Sequence, residues 1–375
     1  MSGEQDRRFM ARAIELANNG LYTTDPNPRV GCVIVKDDVV LAEGWHERAG
    51  GPHAEVAALQ QAGANAEGST VYVTLEPCSH FGRTPPCADT LIGAKVAKVV
   101  VAGLDPNPLV SGQGLEKLRE AGIAVECDVL KAEAETLNPG FIKRMRQQLP
   151  YVRCKVAMSL DGRTAMASGE SQWITGDAAR QDVHHYRARS SAIVTGIGSV
   201  MADDPSLNVR LPSSHHPAIH QFTDADQPLR VVLDSQLQMP GHAKMLSLPG
   251  KTLIYTCSQD QQRQHKLEQA GAEVAVLESD GEKVNLSLVL QDLAQRQINE
   301  VMVEAGARLN GALLAQQLID ELLFYIAPSL MGDQAKGAFH LPELTRMVQK
   351  VPLNVVETRQ IGVDWRIIAH LKYTQ

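Results

Sequence analysis

The chain has 375 residues, 44% of them hydrophobic, which is enough for two or three domains with their own cores and argues against disorder. Its formal net charge is −7, whereas binding to nucleic acid or to an anionic membrane needs a basic surface. The start, MSGEQDRRFM, lacks the apolar segment of a secretory signal, no apolar run is long enough to predict a membrane helix, and six cysteines are too few for a disulfide scaffold, so we expect a cytoplasmic protein.

The first half alternates between helix and strand patterns. A helix is predicted over residues 5–19, where apolar side chains recur at helical spacing before Gly20. The elements expected after it are strands 30–35 and 39–45, helix 53–62, strand 70–75, helix 87–93, strand 96–102, helix 112–121, strand 123–127 and helix 132–146. This alternation predicts a three-layer α/β/α domain.

A second α/β pattern begins after Pro150, so we place the domain boundary between residues 149 and 150 and expect domains of 1–149 and 150–375. The elements predicted in the second domain are strands 151–158, 191–195, 229–234, 251–256, 273–277, 300–304 and 321–327, and helices 177–189, 286–296 and 307–317. Residues 212–228 are predicted to be a polar surface loop whose histidines (His215, His216 and His220) are solvated rather than bound to a metal.

One histidine and two cysteines of the first domain have a pattern typical of catalytic zinc. His53 opens a predicted helix, and Cys78 and Cys87 flank a Pro-rich loop after a strand. One imidazole and two thiolates leave an open position, where zinc lowers the pKa of a water toward ~7. Glu55 can move protons there without being a ligand, as in zinc nucleobase deaminases. The alternatives are a structural zinc site with His80 as fourth ligand, or two ordinary buried cysteines.

Longer motifs resemble one family over nearly the whole chain. The segments PNPRVGCVIV (26–35), HAEVAAL (53–59), TLEPCSHFGRTPPC (74–87) and DPNP (105–108) resemble the deaminase half of the bifunctional riboflavin-biosynthesis deaminase/reductases. The segments LPYVRCKVAMSLDGRTA (149–165), SGESQWIT (168–175), DDPSLNVR (203–210) and VEAGARLNGALL (303–314) resemble its reductase half. The resemblance implies an α/β fold: a cytidine-deaminase-like three-layer α/β/α domain followed by a dihydrofolate-reductase-like α/β domain that uses NADPH.

The same resemblance implies the deaminase substrate, a diaminopyrimidinone that carries a ribosylamino 5'-phosphate. Arg83, in the loop between the two cysteines, is the basic group placed to bind that phosphate. The other substrate contacts implied for this domain are Asn27, His46, His80 and Asp105. For each of them an ordinary turn or surface residue is the alternative.

In the second domain no G-x-G-x-x-G follows the first strand, so a Rossmann site is not expected. In VEAGARLNGALL a strand ends at Glu304, and the glycines and helix start that follow would let the backbone approach a phosphate closely. The NADP contacts implied by the resemblance are Ala157, Trp173, Ser199, Asp203, Ser235, Gly306, Ala307, Arg308, Leu309, Asn310, Gly311 and Ala312. The implied substrate contacts are Ser171, Arg187, Leu207, Arg210 and Glu304, with Arg187 and Arg210 as phosphate ligands.

Lys155 and Glu304 are the expected catalytic groups of the reductase. The reaction implied is hydride transfer from NADPH to C1' of the sugar, in which Lys155 protonates the ring oxygen and Glu304 supports the cationic imine. Strand side chains alternate, so Cys154, Val156 and Val303 are expected to face apolar packing on the other side. The alternatives are a surface lysine on an edge strand, a structural ion pair between two strands and, for Trp173, a core aromatic.

Two other functions fit parts of the sequence. One is a tRNA- or nucleoside-editing deaminase fused to a binding module, and the other makes the second domain a non-catalytic oligomerisation or sensor domain. We favour the bifunctional enzyme, with zinc and NADPH as cofactors. We expect it to form a homo-oligomer, a dimer or tetramer, and to bind a phosphorylated ribosylaminopyrimidine but neither nucleic acid nor membranes.

Overall fold

Two compact units make up the chain. The computed structural model describes residues 3–79, 86–108, 110–211 and 221–373. The units divide in the sequence between Leu149 and Pro150, and residues 221–222 group with the first unit. The predicted contacts His80 and Arg83 and the loop histidines (His215, His216 and His220) lie outside the described residues. In the described part of the chain, no helix is long and apolar enough to cross a membrane.

The first unit is built on one five-stranded sheet. The strands are β1 (Gly31–Lys36), β2 (Val39–Trp45), β3 (Thr70–Val73), β4 (Lys98–Val101) and β5 (Ala124–Glu126). The helices are α1 (Gly3–Ala17), α2 (Ala54–Ala62), α3 (Cys87–Gly93), α4 (Gln113–Glu120), α5 (Lys131–Glu135) and α6 (Pro139–Gln147). The strand order is β2-β1-β3-β4-β5; β3, β4 and β5 are parallel, and β1 is antiparallel to both its neighbours.

Helices cover both faces of this sheet. α1 packs through Phe9 and Ala13 into the cluster on one face, and α2, α3 and α4 pack through Ala58, Leu91 and Leu118 into the cluster on the other. Successive residues of β1 enter the two clusters alternately, as the pleat of a strand requires. The predicted three-layer α/β/α domain is therefore confirmed.

A glycine allows α2 to lie directly on β2. A Cβ atom on Gly44 would be 2.5 Å from the carbonyl oxygen of Ala54 and 2.7 Å from the backbone nitrogen of Ala58, so no larger residue fits. Strands β2, β3 and β4 run in the same direction, because β1 lies antiparallel between β2 and β3 and β4 is parallel to β3. Their carboxyl ends therefore lie along one edge of the sheet. The start of α2 and the segment after β3 therefore meet at this edge.

The second unit is built on a nine-stranded sheet. The strands of this unit are β6 (Tyr151–Ser159), β7 (Arg163–Ala165), β8 (Ala192–Gly196), β9 (Leu229–Leu233), β10 (Thr252–Thr256), β11 (Ala272–Val276), β12 (Ser279–Asp280), β13 (Lys283–Val284), β14 (Glu300–Val303), β15 (Glu321–Ala327), β16 (Lys336–Gly337), β17 (Leu353–Ile361) and β18 (Asp364–Leu371). Four of them lie outside the nine-stranded sheet, where β7 pairs with β16 and β12 pairs with β13. Its helices are α7 (Asp177–Arg189), α8 (Ile197–Asp203), α9 (Gln261–Gln269), α10 (Leu286–Gln295) and α11 (Ala307–Ala315).

The nine strands follow the order β11-β10-β9-β8-β14-β6-β15-β18-β17. The first seven are parallel, whereas β18 and β17 pair in antiparallel fashion at one end. α7 packs on one face of the sheet through Ala179 and Val183, against Met302 and Tyr325. The α/β prediction for this domain is confirmed, and β6 and β14 lie in the middle of its sheet.

Some elements differ from the sequence prediction. The single helix predicted over 132–146 is wrong, because Pro139 begins a separate helix and Asn138 before it has φ −129° and ψ 42°. The patterns also did not predict α8, α9 or the hairpin β17–β18. α9 buries only Leu267 of its nine residues, and β17 is exposed along most of its length, so neither shows the periodicity that marks a half-buried element.

Candidate active sites

One imidazole and two sulfur atoms meet at the edge of the first sheet. His53 is the N-cap residue of α2, Cys78 follows β3, and Cys87 is the first residue of α3. Nδ1 of His53 lies 3.2 Å from Sγ of Cys87 and 3.6 Å from Sγ of Cys78, and the three ligand atoms lie within 4.8 Å of one another. The structure thus brings the three predicted ligands together.

The donor set fits a zinc ion. The contact between the two thiols lowers the pKa of Cys78 and raises the pKa of Cys87. A divalent cation bound by both sulfur atoms would allow both thiols to ionise. Within the part of the chain that the structure describes, no fourth His, Cys, Asp or Glu joins this group. His80, the fourth ligand of the structural alternative, lies outside the described residues.

Glu55 lies in the first turn of α2, and its side chain is buried beside the sulfur atoms. Only 3% of the residue is exposed. Burial raises the pKa of Glu55, and its carboxyl group hydrogen-bonds with the thiol of Cys87. A buried carboxyl group next to the ligands, but not among them, has the position that a proton carrier needs.

His46 and Asn27 adjoin the metal ligands. The ring of His46 meets the ring of His53 edge-on, with 5.5 Å between centroids. Its Nδ1 donates to the carbonyl oxygen of Pro52 at 2.9 Å, so Nε2 of the neutral ring accepts from the side-chain amide of Asn27 at 3.1 Å. Burial lowers the pKa of His46, which keeps this ring neutral. Two of the predicted substrate contacts therefore lie together, beside the predicted metal ligand His53.

Asp105 lies in the loop after β4, at the same edge of the sheet. Its Oδ1 accepts from the backbone nitrogen of Asn107 at 2.8 Å, and its own backbone nitrogen donates to Glu76 at 3.1 Å. Sequence reasoning missed Glu76, although the residue directly precedes Pro77-Cys78. The signal that could have revealed it is a carboxylate between a buried strand and a predicted metal ligand.

In the second unit, Lys155 and Glu304 lie side by side on neighbouring central strands. Cys154 pairs with Val303, so the next residue on each strand points to the same face. Nζ of Lys155 is 3.6 Å from Oε2 of Glu304. Cys154, Val156 and Val303 are buried, as predicted, and Lys155 lies on a central strand, so the edge-strand alternative is wrong.

Arg187 of α7 is a third member of this group. Its Nε and Nη2 donate to the two oxygens of Glu304 at 2.6 and 3.0 Å, and its Nη1 donates to the carbonyl oxygen of Asn208 at 3.0 Å. Burial alone would raise the pKa of Glu304, but Arg187 and Lys155 outweigh it and lower the pKa to about 2. Arg187 was predicted as a phosphate ligand; here its guanidinium group also holds Glu304 in one orientation.

The second predicted phosphate ligand, Arg210, is exposed near the same group. Its side chain donates to Asn208, and its backbone nitrogen donates to Nδ1 of His184 at 3.1 Å. Burial, Arg187 and Arg210 lower the pKa of His184 to about 4, so this imidazole is neutral and can accept that bond. Sequence reasoning did not single out His184.

The segment after Glu304 contains two glycines that differ in their surroundings. Gly306 is the exposed N-cap residue of α11, and a Cβ atom on it would have no atom of the described part of the chain within 4 Å, which leaves room for a ligand phosphate. A Cβ atom on Gly311 would be 2.1 Å from the carbonyl oxygen of His340. The lack of a side chain at Gly311 therefore allows the close approach of another segment of the chain, and its contact with NADP stays a prediction. Oδ1 of Asn310 is buried and has no hydrogen-bond partner among the described residues, as a polar atom of a ligand site would in the absence of its ligand.

The starts of α8 and α11 lie next to each other. Gly196 is the N-cap residue of α8, and a Cβ atom added to it would lie 3.6 Å from the side chain of Leu309 in α11. Both helices follow the carboxyl ends of neighbouring parallel strands, β8 and β14. Helix starts present backbone N–H groups that can bind a phosphate, and the predicted contact Ser199 is in the first turn of α8.

The remaining predicted contacts are placed as follows. Trp173 is 70% exposed and stacks against the guanidinium of Arg180 at 4.6 Å, so it is not a core aromatic. Ser171 donates to Asp203 at 3.4 Å, and Ala157 is half-buried on β6. The hydroxyl of Ser235 accepts from the backbone nitrogen of Val284 at 3.1 Å. Leu207 is buried in a hydrophobic cluster, and its contact with substrate stays a prediction.

Comparisons with known proteins match both units. The RibD C-terminal domain family matches residues 150–367, and the family of the cytidine and deoxycytidylate deaminase zinc-binding region matches residues 3–103. The chain is 48% identical over 362 residues to riboflavin biosynthesis protein RibD of Escherichia coli (strain K12), covering 96% of this chain and 98% of that protein. It is also 48% identical over 367 residues to RibD of Haemophilus influenzae, covering 97% and 96%.

Solved structures agree along the full length. Acinetobacter baumannii RibD, form 2, is 47% identical, with a TM-score of 0.90 and 99% of both chains covered. A Thermotoga maritima diaminohydroxyphosphoribosylaminopyrimidine deaminase/5-amino-6-(5-phosphoribosylamino)uracil reductase is 33% identical, with a TM-score of 0.85 and 99% of both chains covered. The predicted deaminase-like and dihydrofolate-reductase-like folds are thereby confirmed, and zinc and NADPH are the cofactors. The chain belongs to the RibD family of bifunctional deaminase/reductases of riboflavin biosynthesis.

Proposed function

We propose that residues 1–149 deaminate 2,5-diamino-6-(5-phosphoribosylamino)pyrimidin-4(3H)-one and that residues 150–375 reduce the ribosyl group of the resulting 5-amino-6-(5-phosphoribosylamino)uracil to ribityl. The observation that carries the first step is the group of His53, Cys78 and Cys87 with the buried carboxyl of Glu55 beside it. The similarity to the Thermotoga maritima deaminase/reductase supports the choice of substrates.

In the deaminase, His53, Cys78 and Cys87 would hold zinc, which supplies a water activated for attack at neutral pH. Glu55 takes a proton from the attacking water and delivers a proton to the leaving amine, so a C–O bond forms, the C–N bond breaks and ammonia departs. Asn27, His46 and Asp105 contact the substrate from around the ligands. Arg83 and His80, outside the described residues, are proposed as its phosphate ligand and a further contact.

In the reductase, NADPH supplies the hydride that reaches C1' of the sugar. Lys155 gives a proton to the ring oxygen as the ribosylamine opens, and the carboxylate of Glu304 stabilises the cationic imine. Arg187 keeps that carboxylate ionised and oriented, since it binds both oxygens. Arg210 contributes charge to the substrate phosphate, while Ser171 and the backbone of Leu207 complete the substrate contacts.

We propose that NADPH lies along the starts of α8 and α11. The open space at Gly306 and the unpartnered Oδ1 of Asn310 support this placement. The proposed contacts are Ala157, Trp173, Ser199, Asp203, Ser235 and residues 306–312. For Gly311 the contact would be indirect, because His340 occupies the space in front of it.

We also propose that the chain forms a homo-oligomer through the sheet edge at β17. Val355 and Val356 of this edge strand are 57% and 50% exposed, and Trp365 of β18 is 46% exposed. β17 is the last strand of the sheet, and exposed apolar side chains on an edge strand favour pairing with another chain. A cytoplasmic location fits as well, because all six cysteines are free thiols and two of them are proposed metal ligands.

The test is a coupled assay on the purified chain with the ribosylaminopyrimidine phosphate. We expect ammonia release without NADPH and NADPH oxidation only after deamination. Deamination of nucleosides or tRNA instead would favour an editing deaminase. Ammonia release without any binding of NADPH would favour a sensor or oligomerisation role for the second unit.

A further inference from the structure

One buried carboxylate joins the metal-ligand segment to the neighbouring loop. Glu76 is 5% exposed and lies between β3 and Cys78. Its Oε2 accepts from the backbone nitrogens of Asp105 and Gly112 at 3.1 and 2.9 Å, and its Oε1 accepts from the backbone nitrogen of Gly114 at 2.9 Å. Its own backbone nitrogen donates to the carbonyl oxygen of Gly103 at 3.0 Å.

These contacts fix both ends of the loop between β4 and α4. Glu76 binds the loop where it leaves β4, at residues 103 and 105, and again where it enters α4, at residues 112 and 114. At the second attachment the start of α4 packs closely against the segment that carries Glu76. A Cβ atom on Gly114 would lie 2.1 Å from the carbonyl oxygen of Pro77. Three backbone N–H groups thus donate to the carboxyl oxygens of Glu76.

We propose that Glu76 is a positioning residue for deamination. It holds the loop that carries Asp105 at the sheet edge where His53, Cys78 and Cys87 meet. This part of the substrate-binding site is therefore ordered before the substrate binds. The inference rests on the proposed deaminase function. The rival is a carboxylate that serves only the stability of the fold or the placement of Cys78.

The Glu76→Gln variant separates these roles. Glutamine keeps the size of the side chain, but its amide NH₂ would face backbone N–H donors, so one of the two loop attachments is lost. The matched control is Glu120→Gln, the same chemical change at an exposed position on α4. The measurements are zinc per chain, KM and kcat for ammonia release, hydrogen exchange of amides in residues 103–114, and NADPH oxidation with the deaminated substrate.

We expect Glu76→Gln to retain zinc and reductase activity and to show faster hydrogen exchange of the amides in residues 103–114. The KM for ammonia release should be about tenfold higher, because substrate binding must now order the loop. We expect kcat to change much less. Glu76→Asp, which keeps both oxygens, should fall between this variant and the wild type. Should the glutamine variant fail to fold, the same readouts apply to Glu76→Asp.

Three results would overturn the proposal. One is an unchanged KM despite faster exchange, which means that the loop is not used. Another is loss of zinc, which would mean that Glu76 positions the metal ligand Cys78 rather than the loop. The third is failure of both variants to fold, which makes the carboxylate structural. Absence of ammonia release from the wild type would instead contradict the proposed function, and the exchange data would still report whether Glu76 holds the loop.

Discussion

The Lys155→Met substitution tests the reductase mechanism with little disturbance of the fold. Lys155 contacts Oε2 of Glu304 at 3.6 Å, whereas Arg187 binds both oxygens of that carboxylate at 2.6 and 3.0 Å. Methionine has a similar length and no charge. The variant therefore removes the proposed proton donor and leaves Glu304 paired.

The expected change in stability is small compared with the expected change in rate. At 3.6 Å and an effective dielectric constant of about 20, the attraction between Lys155 and Glu304 is about 5 kcal/mol. Desolvation of the half-buried ammonium group offsets most of it, which leaves a net effect of roughly 1 kcal/mol. The Tm of this unit should then shift by less than about 5 °C. Loss of a general acid, in contrast, lowers turnover by about 10²–10⁴-fold.

The assay measures NADPH oxidation with the deaminated substrate, NADPH affinity from quenching of protein fluorescence, and ammonia release in the same preparation. We expect NADPH oxidation to fall at least about 10²-fold, while cofactor affinity and deamination stay near wild type. Lys251→Met, an exposed lysine of the same unit, is the control for loss of a charge.

NADPH oxidation within about tenfold of the wild type would refute Lys155 as the proton donor. Loss of folding or of NADPH binding would identify a structural ion pair instead. An apolar double variant at Lys155 and Glu304 is a poor test of that rival, because it would leave the guanidinium of Arg187 without its carboxylate partner. A half-buried charge left unpaired destabilises a protein whatever the catalytic role of its former partner.

Other perturbations have equally definite expected results. Glu55→Gln should keep zinc but lower ammonia release at least about 10²-fold, and near-normal deamination would contradict its role as proton carrier. Cys78→Ser or His53→Ala should lose zinc, as metal analysis would show. Because the pKa of Glu304 is lowered to about 2, its charge stabilises the fold above the usual carboxyl pKa and this contribution is lost as pH falls toward 2. The free energy of unfolding of Glu304→Gln at pH 7 should therefore be lower than that of the wild type by on the order of 3 kcal/mol. Urea unfolding curves measure this difference, which should decrease toward zero as the pH falls to 2. Expression of 1–149 and 150–375 separately should give zinc binding in the first piece and NADPH binding in the second, and a soluble second piece without NADPH affinity would argue against independent sites.

The deaminase site could be predicted from sequence because each ligand lies at the start of a helix or shortly after a strand. His53 opens α2, Cys78 follows β3 and Cys87 opens α3, so the topology of a parallel sheet brings their positions to one edge. Glu55 needs only the first turn of a helix to reach the same place. Local pattern and global fold point to the same residues here.

The partners of these residues could not be predicted, because they come from distant parts of the chain. Arg187 reaches Glu304 only because α7 packs on the face of the sheet to which Glu304 points. Glu76 finds its partners through backbone N–H groups, which leave no signature in a sequence. α9 escaped prediction for a related reason, since a helix that buries one side chain has almost no apolar periodicity.

The two glycines after Glu304 show how far a local motif can be interpreted. Both Gly306 and Gly311 fit a segment that approaches a phosphate, and the sequence does not distinguish them. The structure does, since Gly306 faces open space and Gly311 faces the carbonyl oxygen of His340 at a distance that excludes any side chain. A glycine in a motif indicates that something comes close to the backbone. Whether that neighbour is a ligand or another segment of the same chain depends on contacts that only the folded molecule makes.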